Sequence, residues 1–315
     1  MGAYIVQRLI HTFIVLLVIS LVSFVIIQLA PGGPAILNDP NLTTEDVARL
    51  RHNMGLDQPI MVQYITWLGR LAHGDLGRSF QDGQPVLQLI GSRLPATLLL
   101  SLTALLVALF TGIPLGVISA IKPYSLSDTL ISVISFISVS IPSFWFGIVL
   151  ILLFSVQWRI LPSAGMYTAG ADFSIGDWLA HLLMPTVVLA SFLMANLSRY
   201  TRTCMREVLG EAYIVTARSK GLKEQMVIYR HALRNTLLPV VTLIGLLLPN
   251  LVGGAALVET IFAWPGMGRL AVDSALARNY PVVMGITILI SAVTVFTNLA
   301  VDLIYGRLDP RVNIG

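Results

Sequence analysis

Charge is scarce in this chain. Asp, Glu, Lys and Arg make up only 11% of its 315 residues, against about a quarter in a soluble domain. The few charges are clustered, leaving long stretches with none, and that excludes an ordinary soluble globule. The net charge of +4 is small. Its positions follow membrane topology rather than a basic patch, so nucleic acid is not a predicted partner. Cys204 is the single cysteine. It excludes an internal disulfide and reads as a small structural residue near the cytoplasmic membrane surface. No G-x-x-x-x-G-K-[ST] phosphate loop occurs, nor H-E-x-x-H, nor G-x-S-x-G. P-loop hydrolysis, zinc proteolysis and serine hydrolysis are therefore not expected here. The five histidines, His11, His52, His73, His181 and His231, show no i, i+4 ligand spacing, and no metal site is predicted.

What is present is apolar sequence, 56% of the residues. A bilayer-spanning helix needs about 20 apolar residues. Six runs qualify: 9–30, 94–121, 129–157, 178–198, 237–258 and 282–304. Backbone polar groups in lipid must pair within their own segment, so each run is predicted to be a helix. Arg8 before the first run resembles a signal-peptide start. The run is too long for such an apolar core and lacks a small-x-small cleavage site, so it is read as a retained span. Pro114, Pro142, Pro185 and Pro249 interrupt four of the spans. Each can kink its helix, either for a moving, cavity-lined bundle or as plain packing irregularity.

Six spans put both termini on one side. Arg8, Lys122, eight basic residues within 199–235, Arg307 and Arg311 share that side, which the positive-inside rule assigns to the cytoplasm. The predicted layout is a first span over 1–30, an extracytoplasmic cap over 31–93, a five-helix core over 94–306 containing a cytoplasmic loop at 199–235, and a cytoplasmic tail at 307–315. Within the cap, Thr43-Thr44-Glu45-Asp46 reads as a helix start with a capping threonine. Tyr64, Ile65, Trp67 and Leu68 suggest an amphipathic helix after Pro59.

The basic loop is the most informative stretch. It reads as a short helix over Glu211-Ala212-Tyr213-Ile214-Val215-Thr216-Ala217-Arg218-Ser219-Lys220, stopped at Gly221, because glycine accepts the left-handed C-cap conformation. A second helix then runs into the fifth span. By composition alone the loop reads first as a solvated segment that only sets topology.

Here a family resemblance enters. Thr216-Ala217-Arg218-Ser219-Lys220-Gly221-Leu222 with His231-Ala232-Leu233-Arg234-Asn235 resembles the coupling loop of ABC-transporter permeases of the dipeptide/oligopeptide/nickel importer branch. Further stretches match in order: Pro31-Gly32-Gly33-Pro34, Gly55-Leu56-Asp57-Gln58-Pro59, Gly74-Asp75-Leu76-Gly77, Glu259-Thr260-Ile261-Phe262-Ala263-Trp264-Pro265-Gly266-Met267-Gly268-Arg269, Tyr280-Pro281-Val282-Val283 and Leu308-Asp309-Pro310-Arg311. There are departures. Gly33 replaces the family's aspartate. Val215-Thr216-Ala217 stands where the broader pattern has Glu-Ala-Ala, and Arg234 where it has proline. The last two point to the "B" half of the peptide-type permease pair.

The resemblance implies an all-α integral membrane fold of six transmembrane helices, like a type I ABC importer permease, with a cap between the first and second helices. It implies a multi-pass protein of a bacterial or archaeal cell membrane, with a second homologous permease, two ATP-binding subunits and an extracytoplasmic solute-binding protein as partners. ATP and magnesium would bind those ATPases, not this chain, which is expected to be no enzyme. Docking falls to Tyr213, Thr216, Ala217, Arg218, Ser219, Lys220, Gly221 and Leu222. The solute would be a di- or oligopeptide, or a nickel chelate, glutathione or an oligosaccharide. Pathway candidates are Ser135, Ser138, Asn250 and Glu259. Intramembrane polar groups are costly and often functional, yet serines also join helices, and Glu259 with Trp264-Pro265-Gly266 suits an outer gate or a plain turn. An autonomous channel or secondary transporter is the alternative. It calls for charges within spans or an inverted repeat, and neither is evident.

Overall fold

The computed structural model describes residues 2–29, 33–34, 37 and 41–308, and within helices it leaves aside the side chains of 2–6, 238, 246–254 and 300–308. Among the described residues the regular structure is helical. The chain divides into two compact units, residues 1–97 with 265–315, and residues 98–264.

In the first unit, α1 (Gly2–Leu29) runs beside α13 (Tyr280–Leu308). Two short helices follow α1. Thr43 and Asp46 close a reciprocal capping box on α2 (Thr44–Asn53), the arrangement that satisfies two orphan amides at a helix start. Pro59 opens α3 (Ile60–Ala72). Both helices were legible in the sequence, the first from its capping residues and the second from Pro59 and its amphipathic pattern. The Tyr64 ring of α3 packs with Phe24 and Met284, and its hydroxyl lies 2.9 Å from Ser20 Oγ of α1. The turn over 75–85 is pinned to the head of α13. Asn279 Oδ1 accepts from Phe80 N at 3.0 Å, and Asn279 Nδ2 donates to Ser79 Oγ at 2.9 Å.

The second unit takes in most of α4 (Val86–Ile121), whose 36 residues extend about 54 Å at 1.5 Å per residue. The hydrocarbon core is only about 30 Å thick, so α4 starts well before the apolar run at 94. α4 meets α7 (Ile175–Leu209) where Gly112 and Gly116 sit one turn apart. A Cβ on Gly116 would lie 2.6 Å from the Ser198 carbonyl oxygen, and one on Gly112 2.9 Å from that of Met194. Small residues at this spacing let two backbones approach closely. α7 carries Pro185 within its length. It also continues past the predicted end at 198 to Leu209. The extra turns hold Arg199, Arg202 and Arg206, whose charge hid them from an apolar-run reading.

The expected third span, 129–157, is not one straight helix. α5 (Leu126–Ser140) and the stretch Ser143–Gln157 meet at an angle of 101°. The second stretch begins as α6 (Ser143–Leu150) and ends as a π-helical run, Ile151–Gln157. Ile141 before the proline is extended, with φ −81° and ψ 124°, as the Pro142 ring requires of its predecessor. The proline thus breaks this segment, whereas Pro185 stays inside its helix. After α7 come α8 (Ala212–Ser219), α9 (Glu224–Met226), a π-helical run Val227–Ala232, α10 (Leu233–Gly254) and α11 (Ala256–Ile261). α12 (Met267–Leu276) belongs to the first unit.

Among the described residues, four helices are long and apolar enough to cross a membrane: Gln7–Leu29, Val86–Ile121, Ile175–Leu209 and Tyr280–Leu299. The bent pair makes a fifth if it is one span.

Candidate functional site

The sequence around Gly221 folds as a capped knob. α8 ends with Lys220 as its cap and Gly221 at φ +73°. Gly221 N donates to the Arg218 carbonyl at 2.9 Å and Leu222 N to the Ala217 carbonyl at 3.4 Å. These two bonds are those of a Schellman motif, with half-buried Leu222 beside buried Ala217. Ile214 is fully buried and Ala217 nearly so. They pack against Val117 and Ala120 of α4, Met205 of α7, and Val227, Ile228 and Ala232 after α9. The short helix is thus seated on the ends of two long helices rather than hanging from a loop, which matters because eight residues are too few to hold a helix alone.

The opposite face of α8 is open. Tyr213, Val215, Thr216, Arg218, Ser219, Lys220 and Gly221 are exposed. Of the eight residues expected to dock a partner, six therefore face outward, Leu222 is half covered and Ala217 is turned into the core. Arg218 spans the turn to Glu224, at 2.7 Å from Nη2 to Oε1 and 3.2 Å from Nε to Oε2. The guanidinium holds the Glu224 carboxyl below the usual carboxylate range. Arg218 thus has a partner within the loop, while Lys220 projects as a cation beside it. Asn235 Nδ2 donates to the Tyr213 hydroxyl at 2.8 Å. Two exposed apolar side chains outside the expected docking set, Met226 and Tyr229, lie in the same loop. Their signal was an apolar pair set inside a charged stretch.

A second cluster was also missed. Asp128, in the first turn of α5, is 3% exposed. Arg202 of α7 grips it with both ends of its fork, Nε to Oδ1 at 2.7 Å and Nη2 to Oδ2 at 2.8 Å. Tyr124 N donates to Oδ2 at 2.8 Å and Ser119 Oγ to Oδ1. Four donors meet the two oxygens, which is what a buried carboxylate needs. On either side, Arg199 lies over the Phe136 ring at 5.0 Å and Arg206 over the Tyr124 ring at 5.7 Å. The three arginines counted for topology thus hold α5 and its leading turn against α7.

The expected pathway residues lie on three helices, α5, α10 and α11. Ser135 is buried and Ser138 half-buried on α5. Glu259 is fully buried on α11, its carbonyl accepting from Trp264 N at 2.8 Å. The Asn250 side chain lies outside the described residues. His181 meets Asp177 at 3.4 Å and His52 meets Asp57 at 2.7 Å, each a local pair.

Residues 112–314 match the family described as the binding-protein-dependent transport system inner membrane component. Residues 1–103 match the N-terminal membrane-component family of the same systems. The chain is 46% identical over 314 residues to the oligopeptide transport system permease protein AppB of Bacillus subtilis, covering 99% of both chains. It is 42% identical over 316 residues to a putative peptide permease protein of Brucella ovis, again with 99% of both covered. A probable peptide ABC transporter permease of Sinorhizobium fredii is 38% identical over 313 residues at the same coverage.

Proposed function

Because the chain belongs to the family of binding-protein-dependent transport system inner membrane components, we propose that it is a permease subunit of an ATP-binding-cassette importer for oligopeptides. The peptide substrate rests on the names of relatives that match along the whole chain. In this reading it spans a bacterial or archaeal cell membrane six times, with α10 adding a span and both termini in the cytoplasm. A second permease completes the pathway, a solute-binding protein delivers the peptide outside, and two ATPases bind ATP and magnesium inside.

The observation that carries the coupling role is α8. It is a short helix seated by Ile214 and Ala217 on the ends of α4 and α7, with Tyr213, Thr216, Ser219 and Lys220 open. A partner pushing on this helix pushes on those long helices, not on a slack loop. The Asp128–Arg202 clamp carries the displacement of α7 to α5.

Gly221 gives the test. A Cβ there would meet no atom within 4 Å, so a substitution acts through backbone conformation alone. At φ +73° a β-branched residue is strained, whereas asparagine tolerates the left-handed region. In the reconstituted complex, Gly221→Val is expected to abolish peptide-stimulated ATP hydrolysis while membrane insertion stays normal, and Gly221→Asn to retain most of it. Equal, unimpaired coupling in both variants contradicts the role. Peptide transport by this chain alone, without ATP, contradicts the reading as a whole.

A further inference from the structure

The unit built from the two terminal parts of the chain contains a cavity of about 1050 Å³. It lies on the side that the charge pattern assigns to the outside. Its floor is apolar, from Phe24 and Ile27 of α1 and Met284 of α13, and one wall is a face of α3. The turn over 52–58 and the turn over 75–85 enclose the rest. Typical small-molecule pockets run from about 300 to 1,000 Å³, so there is room for a peptide of a few residues.

Three polar groups at this cavity have no hydrogen-bond partner among the described residues. Trp67 stacks on Tyr64 at 6.1 Å, and its indole Nε1 is buried with no hydrogen-bond partner among the described residues. As the ring stands this nitrogen is sealed from the cavity, and a bound acceptor removes the cost of the orphan donor by drawing the ring toward it. Arg70, one turn further along α3, is exposed, and its side chain has no ion-pair or hydrogen-bond partner among the described residues. Gln28 uses its amide nitrogen on Gln63 Oε1 at 2.7 Å, and its own side-chain carbonyl oxygen has no partner among the described residues. Gln63, Trp67 and Arg70 share one stripe of α3. From Gln63 to Arg70 the helix rises about 10 Å, close to the length of three extended peptide residues at about 3.3 Å each.

We propose that this cavity is a binding site for a short apolar peptide. Arg70 receives the C-terminal carboxylate, the Trp67 N–H a peptide carbonyl, and the Gln28 carbonyl a peptide N–H, while apolar side chains lie on Phe24 and Met284. A lipid chain fits less well, because Gln58, Gln63, Gln81 and His52 interrupt the apolar lining. The assignment rests on the peptide-permease reading and adds a station on the chain itself, separate from the pathway.

The test uses the full-length chain in lipid nanodiscs and equilibrium dialysis with trileucine, trileucine amide and decanoate. Saturable trileucine binding is expected, weakened about tenfold by Arg70→Gln and by amidation of the peptide, as loss of a charge-assisted contact implies. Trp67→Phe should weaken it several-fold and leave the response to amidation intact. Both changes are mild, and retention of the chain's elution profile shows that folding is kept. Three results overturn the proposal: no saturable binding, equal binding by wild type and both variants, or decanoate binding as tightly as trileucine. A complex that still transports peptide while this binding is absent refutes the cavity alone. A complex that transports no peptide refutes the underlying reading.

Discussion

Gly221 and Asp128 show how differently two single residues can be read. Gly221 stops a helix by a backbone conformation that its own identity dictates, so the stop was legible in the sequence. Asp128 is held by an arginine 74 positions away, and no local pattern announces that. Its clamp is asymmetric. Arg202→Met would leave a carboxylate enclosed with only Ser119 and Tyr124 N as donors, and should cost on the order of 3–5 kcal/mol, the range for breaking a buried pair. Asp128→Asn keeps the shape and leaves a cation, 26% exposed, that can turn to water. It should cost distinctly less. Thermal unfolding of both variants in detergent checks the order, and an equal loss would mean that the carboxylate is not the buried partner. The Arg218–Glu224 pair belongs to a gentler class, being exposed on both sides and contributing below about 1 kcal/mol. Glu224 has a carboxyl pKa lowered in the folded chain. The pair's contribution is therefore complete above the unfolded value of about 4.3 and is lost as pH falls through the lower folded value. Amide exchange at Gly221 and Leu222, corrected for intrinsic rates, should quicken below about pH 4 and stay flat from pH 5 to 8.

Among the elements, those marked by local chemistry were the legible ones. Thr43 with Asp46, Pro59 and Gly221 each placed a helix end to within a residue or two. The long apolar runs gave the existence of the helices but not their course. A hydropathy run has no direction, so 129–157 looked continuous although Pro142 turns the chain through 101°. The end of α7 was lost for the opposite reason, since three arginines made helical turns look like loop. The close crossing of α4 and α7 gives an element-scale test. Gly116→Leu would drive a side chain into the Ser198 carbonyl and Thr201, and overpacking of this kind costs about 1–3 kcal/mol. The expected result is a lower unfolding temperature and weakened seating of α8, since Val117 beside Gly116 and Ala120 one turn on are its neighbours. Wild-type stability in this variant would show that the crossing is loose.

For the whole molecule, the central claim is that the open face of α8 meets an ATPase in the cytoplasm. The sequence supplied this expectation through family resemblance, while the seating of the helix needed contacts with Val117 and Ala120 of α4, about a hundred positions earlier in the chain. The single buried cysteine makes a direct measurement practical. In a Cys204→Ser background, Ser219→Cys places one reactive thiol on that face, and Met61→Cys places one on exposed α3. The assembled complex is then treated with a short bifunctional thiol reagent and the joined chains are identified. The account predicts that Ser219→Cys joins to the ATP-binding subunit, more or less strongly as ATP is added, and that Met61→Cys does not. An ATPase joined at Met61→Cys, or none joined at Ser219→Cys in an intact, active complex, would contradict it.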